Sequence, residues 1–146
     1  MILISACLLG INCKYSGGNN KIKELKDLLK NETLIPVCPE QLGGLETPRN
    51  PSEIIIKNGE KFVVDKNGND VTLQFLKGAE ETLKIVNIFN IKEAILKSNS
   101  PSCGFGSVYD GTFSGKLIKG DGITSALLKS KNINIYNEIN YFEKLK

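Results

Sequence analysis

The sequence predicts an α/β fold, a single Rossmann-like domain over residues 1–146 with a mostly parallel sheet and helices on its faces. Three observations carry that expectation. Short apolar runs at residues 2–6, 34–37, 92–97 and 133–136 have the length and β-branched content of buried strands. Segments with helical spacing of apolar residues lie between them, and strand-helix-strand alternation favours parallel pairing. The chain of 146 residues is 40% apolar and 24% charged, and shows no repeat, low-complexity stretch or composition shift that would mark a linker.

Taken in order, the run Ile2-Leu3-Ile4-Ser5-Ala6 opens the fold, and Cys7-Leu8-Leu9-Gly10 leaves it for a loop through Cys13, Lys14, Tyr15, Gly17 and Gly18. Asn19 or Asn20 is placed to cap a helix over residues 21–30, where Ile22, Leu25, Leu28 and Leu29 recur at spacings of three and four. The strand Leu34-Ile35-Pro36-Val37 ends in Cys38-Pro39-Glu40, again a strand followed by a thiol-bearing loop. Pro48, Arg49 and Pro51 make the next stretch extended and irregular. Ile54-Ile55-Ile56 and Phe62-Val63-Val64 flank Asn58-Gly59, a hairpin signal expected at a sheet edge. Asp70 is placed to cap a helix over residues 71–87, with Val71, Phe75, Ala79, Leu83 and Val86 on one face and Gly78 marking close packing.

The strand at 92–97 runs into Ser98-Asn99-Ser100-Pro101-Ser102-Cys103-Gly104-Phe105-Gly106, residues that suit tight backbone and present a thiol. A turn-rich loop follows at 109–115, then Gly120-Asp121-Gly122 before a helix over 123–129, a last strand, and a tail without features. In a parallel sheet the loops after the strands' carboxyl ends share one edge, where ligands bind. Cys7, Cys38 and Cys103 all occupy such loops and are expected to converge; Cys13 lies deeper in its loop.

Composition narrows the chemistry. A net charge of +3 is far short of the basic stripe of a dedicated nucleic-acid binder. No run approaches about 18 apolar residues, and the start lacks a basic signal-peptide region, so a cytoplasmic protein without membrane contact is expected. In a reducing compartment, four cysteines point to metal or catalysis rather than disulfides. The absence of histidine excludes Cys-His dyads, Ser-His-Asp triads and zinc sites that need imidazole.

Converging thiols without imidazole suit a soft metal centre. Iron-sulfur clusters lead, zinc bound by four cysteines is the main alternative although close Cys-x-x-Cys pairs are lacking, and unmetallated thiols are the third possibility. A 4Fe-4S cluster on three cysteines would keep one iron open to a sulfur ligand. Glu40 is then a candidate base or acid, against the plain reading of a loop glutamate that accepts backbone N–H bonds. Ser100 and Ser102 could donate to an oxyanion or simply form the turn. Lys14 and Arg49 are the cations nominated for an anionic substrate. Asp110, Thr112 and Ser114 form a polar loop that could meet ribose or phosphate, and the glycines before Ile123 could open a helix N-terminus to an anion.

Together, Ser5-Ala6-Cys7-Leu8-Leu9-Gly10, Pro36-Val37-Cys38-Pro39-Glu40 with Gly43-Gly44 and Thr47-Pro48-Arg49, Gly68-Asn69-Asp70-Val71-Thr72, Ser100-Pro101-Ser102-Cys103-Gly104 and the segment Tyr109 through Gly115 resemble the DUF523 family, which includes thiouracil desulfidases. The resemblance runs over residues 4–128. It implies an oxygen-sensitive 4Fe-4S cluster on Cys7, Cys38 and Cys103, with Glu40 and Ser100 as the catalytic pair. The implied reaction is a non-redox exchange of thiocarbonyl sulfur for oxygen. The implied partners are a small thiolated nucleobase or nucleotide, thiouracil or 4-thiouridine monophosphate, with thiolated tRNA less favoured because the domain that accompanies tRNA-acting relatives is absent. A redox or sulfur-carrying protein with cysteine-bound iron-sulfur or zinc is the alternative. Two departures stand out. Cys13 occupies a position where many relatives carry valine and is left outside the ligand set, and the usual Arg-Tyr-Asp-Gly-Gly is here Lys14-Tyr15-Ser16-Gly17-Gly18.

Overall fold

The structure, a computed structural model, describes residues 1–145. In chain order it contains β1 (Ile2–Ser5), a 3-10 turn (Ala6–Leu9), α1 (Leu25–Leu28), β2 (Leu34–Val37), α2 (Pro39–Leu42), β3 (Ser52–Lys57), β4 (Glu60–Asp65), α3 (Thr72–Ile88) and β5 (Glu93–Ile95). It continues with β6 (Ser107–Tyr109), β7 (Leu117–Lys119), α4 (Ile123–Ser130), β8 (Asn134–Tyr136) and α5 (Asn140–Lys144).

The four predicted strands β1, β2, β5 and β8 form one sheet in the order β2-β1-β5-β8, every neighbouring pair parallel. Strand periodicity sends Ile2 and Ile4 to one face, with Leu25, Leu34, Ile95 and Tyr141, and Leu3 to the other, with Val86, Ala94, Leu128 and Ile135. Both faces are covered, which is why these strands read as continuous apolar runs. Each such buried Leu or Ile contributes about 1.5–3 kcal/mol relative to exposure. From β1 the chain goes first to β2 on one side and later to β5 on the other, so the direction of winding reverses at β1, where α/β folds place their ligands.

The long helix α3 buries Phe75, Gly78, Ala79, Thr82 and Val86. The N-cap is Val71, one residue after the expected Asp70, whose Oδ1 instead braces the first turn by accepting the Thr72 N–H at 2.9 Å and the Thr72 hydroxyl at 2.6 Å. The close packing expected at Gly78 is present: a Cβ there would sit 1.9 Å from the Pro39 carbonyl oxygen, and one on Gly43 would sit 1.9 Å from that of Gln74. Two glycines thus let α2 and α3 approach backbone to backbone. Gly78→Ala is therefore expected to destabilise the fold by about 2–4 kcal/mol, in the range of severe overpacking. Chemical denaturation checks this, and a change below about 0.5 kcal/mol, normal for a surface substitution, would refute the contact.

Three further expectations are corrected, and a hairpin is added around the expected loop at 109–115. The helix expected over residues 21–30 is the single turn α1, because Asn19 Oδ1 takes the Lys21 N–H while the Asn20 and Ile22 N–H groups bond the Cys7 and Leu8 carbonyls. The hairpin of β3 and β4 turns at Asn58-Gly59, both with positive φ, as expected. It is a separate two-stranded sheet rather than an edge of the main one, since Ile54 and Val63 pack on Phe75 and Val108. The turn-rich segment at 109–115 joins a second hairpin, β6 and β7. The tail is not featureless: it forms α5 and buries Tyr141 on the core.

Candidate active site

Residues just past the carboxyl ends of β1, β2 and β5 meet at a cavity of about 520 Å³, a size ordinary for small-molecule sites. Cys7 in the 3-10 turn after β1, Cys38 directly after β2, Cys103 in the loop after β5, and Cys13 all line it. All four are free thiols; Cys7, Cys13 and Cys103 are buried and Cys38 is half-buried.

Cys103 is held by a stiff scaffold. Its N–H donates to Ser100 Oγ at 2.8 Å, and the Gly104 N–H to the Ser100 carbonyl at 2.9 Å. The first N–H groups of α4, on Ile123, Thr124 and Ser125, donate to the carbonyls of Pro101 and Ser102 at 2.8–3.2 Å. A Cβ on Gly122 would lie 2.6 Å from the Ser102 carbonyl, so glycine is required for this approach. The helix N-terminus that the glycines were expected to open to an anion is instead spent on the cysteine loop.

The thiols differ electrostatically. Hydrogen bonding from Cys13 lowers Cys38 to about 6 and Cys7 to about 7 against the opposing effect of burial, and the same contacts push Cys13 upward. Burial pushes Cys103 up to about 12. In cluster-free reduced protein at neutral pH, iodoacetamide is expected to label Cys38 before Cys103 by at least about tenfold, because the thiolate is the reacting form. Peptide mapping of a time course measures this, and equal rates would contradict it.

Glu40, on the first turn of α2, is built into a network. Its Oε1 accepts Arg49 Nε–H at 3.1 Å and its Oε2 accepts the Ser102 hydroxyl at 2.8 Å. Arg49 also donates from Nη1 to Thr47 Oγ1 at 2.9 Å and to the Glu46 carbonyl at 3.1 Å, and from Nη2 to the Cys13 carbonyl at 2.9 Å. Both side chains of the ion pair are largely buried, 8% and 15% exposed. Most donors of Arg49 are thus committed to the protein, and the residue lines the cavity as an organiser of Glu40. Ser100 Oγ lies 3.5 Å from Ser102 Oγ, so Ser102 stands between Glu40 and Ser100.

The remaining candidates divide. Lys14 lines the cavity, its Nζ 5.6 Å from the Tyr15 ring centre. Asp110, Thr112 and Ser114 bond one another in the β6–β7 loop, Thr112 Oγ1 reaching Asp110 Oδ1 and Ser114 Oγ, both at 2.6 Å. From that loop it is Tyr109, Phe113 and Gly115 that line the cavity, and buried Glu53 pins the loop to β3 through the Gly111 and Phe113 N–H groups.

Sequence reasoning missed Lys97, Ser98 and Glu138. Lys97 Nζ bonds Glu138 Oε1 at 2.9 Å, and the Ser98 hydroxyl reaches the same oxygen at 2.6 Å; Lys97 and Ser98 line the cavity. Burial opposes the Glu138 charge, but Ser98 and Lys97 together hold its carboxyl below the usual range. The signal was present: Lys97 and Glu138 each stand two residues past a parallel strand, as Cys7 does.

Comparison with known proteins agrees with the motifs. The chain matches the 2-thiouracil desulfurase family over residues 2–140. It is 44% identical over 144 residues to YbbK of Bacillus subtilis (strain 168), an alignment covering 94% of this chain and 95% of that one. Among solved structures it is similar to the 4Fe-4S-dependent thiouracil desulfidase TudS (DUF523Vcz), with a TM-score of 0.88 and 41% identity, covering 97% of this chain and 93% of that one. With the resemblance seen in five sequence motifs now extended to the fold and to nearly every residue, this chain belongs to the 2-thiouracil desulfurase family.

Proposed function

We propose that the protein is a desulfidase that replaces the thiocarbonyl sulfur of thiouracil, as the free base or as 4-thiouridine monophosphate, with oxygen and releases hydrosulfide. The observation that supports it most is the meeting of thiols from separate segments with an arginine-held carboxylate on one cavity wall. A 4Fe-4S cluster fits this donor set. The donors are soft thiols without imidazole, the usual ligand set of iron-sulfur centres. Cys7, Cys38 and Cys103 would hold the cluster, in keeping with the 4Fe-4S dependence of the similar solved protein. When bound, it supplies a soft Lewis acid for the thiocarbonyl sulfur.

The chain's own residues do the rest. Arg49 holds Glu40 Oε1, which leaves Oε2, shared with the Ser102 hydroxyl, to take a proton from the attacking water. The Ser100 oxygen accepts the Cys103 N–H, so its own proton is free to point to Ser102 or to developing charge on the substrate. Lys14 places positive charge on the wall, where Lys97 is paired with Glu138, and Tyr15, Tyr109 and Phe113 give the uracil ring flat apolar surface. Anaerobically reconstituted protein is expected to release sulfide from 4-thiouracil or its nucleotide without an electron donor. A requirement for reductant, or cluster-loaded protein that releases none from either, refutes this reading.

A further inference from the structure

The sequence sets Cys13 apart from the three expected ligands, yet the fold does not. Its side chain is 1% exposed and packs in the same buried cluster as Cys7 and Cys38. It lines the cavity with Cys7, Cys38 and Cys103. Its backbone is fixed on both sides: the N–H bonds the Ile11 carbonyl at 2.9 Å, and its carbonyl accepts Arg49 Nη2 at 2.9 Å and the Cys38 thiol at 3.6 Å. Arg49, which orients Glu40, therefore also sets where this fourth thiol stands. A residue needed only to fill that wall is better served by valine, which has no thiol to protonate, oxidise or bind metal.

We propose that Cys13 is a fourth, exchangeable thiolate donor to the cluster, closing the corner left by Cys7, Cys38 and Cys103 until substrate sulfur replaces it. The inference rests on the desulfidase reading above. Binding needs no electron transfer: the Cys13 S–H bond breaks, its proton passes to solvent, and the sulfur lone pair forms one bond to iron. Positive charge to offset a fourth thiolate is at hand in Lys14 on the same wall, Lys97 being paired with Glu138.

The test is mild anaerobic oxidation of the reconstituted protein with ferricyanide, followed by iron and sulfide analysis and electron paramagnetic resonance. A cluster with one iron lacking a protein ligand sheds that iron and leaves a paramagnetic three-iron cluster, whereas a cluster held at every corner resists. The wild-type protein is expected to keep its iron, and Cys13→Val to lose one iron per chain and gain the three-iron signal. Cys13→Ala, the smaller change, must behave as Cys13→Val does. Equal iron loss from wild-type and variants, or variants that keep all their iron, would overturn the assignment. Reconstituted wild-type protein without iron and without visible absorption would overturn the cluster reading itself and the assignment with it.

Discussion

Glu40→Gln is expected to lower the rate of sulfide release by about 10²–10⁴-fold, the usual contribution of a positioned base, with cluster content unchanged. The substitution keeps size and shape. It removes the proton-accepting oxygen that faces Ser102 and leaves an amide able to accept only from Arg49. Because Glu40 is not among the thiols, iron and sulfide per chain should match wild type after reconstitution. Wild-type turnover in Glu40→Gln would remove Glu40 from the chemistry.

Arg49→Ala is expected to cost about 3–5 kcal/mol of stability, the range for breaking a buried pair and leaving one charge alone. At this chain length that corresponds to a fall in Tm of roughly 10 °C or more. The loss exceeds one ion pair because Thr47 Oγ1 and the carbonyls of Glu46 and Cys13 lose a partner together. Arg49→Lys should recover less than half of it: lysine keeps the charge, but an ammonium cannot spread donors across that planar fork. Thermal unfolding with both variants measures the difference. Full rescue by lysine would show that charge alone matters, and no loss on Arg49→Ala would show that the pair is idle.

The sheet was legible because its strands appear as short apolar runs: the central strand Ile2–Ser5 is buried at every position, and the edge strand Leu34–Val37 stays apolar although Pro36 is exposed. The convergence of Cys7, Cys38 and Cys103 followed from the rule for strand ends, and all three line one cavity. What stayed hidden depends on contacts between distant segments. Nothing local to Arg49 tells that its donors are taken by Glu40 and Cys13, whereas Lys97 and Glu138, 41 residues apart, are legible only through the strand-end rule that places both on one edge. The short helix α2 was missed because four residues hold too little periodicity to read, although Pro39 after Cys38 is a helix-start signal. The β6–β7 hairpin escaped because its strands have three residues each and β7 is exposed throughout.

The glycine contact between α2 and α3 has a reach beyond stability. Glu40 rides on α2, and the tilt of that one-turn helix is decided where Pro39 rests on Gly78, on a helix that never lines the cavity. A methyl group there is expected to act as a wedge under a lever, swinging the carboxylate away from Ser102 and from the place where the proposed reaction needs a base. A mutational scan read by turnover alone would score Gly78 as part of the catalytic machinery, although it never meets the substrate.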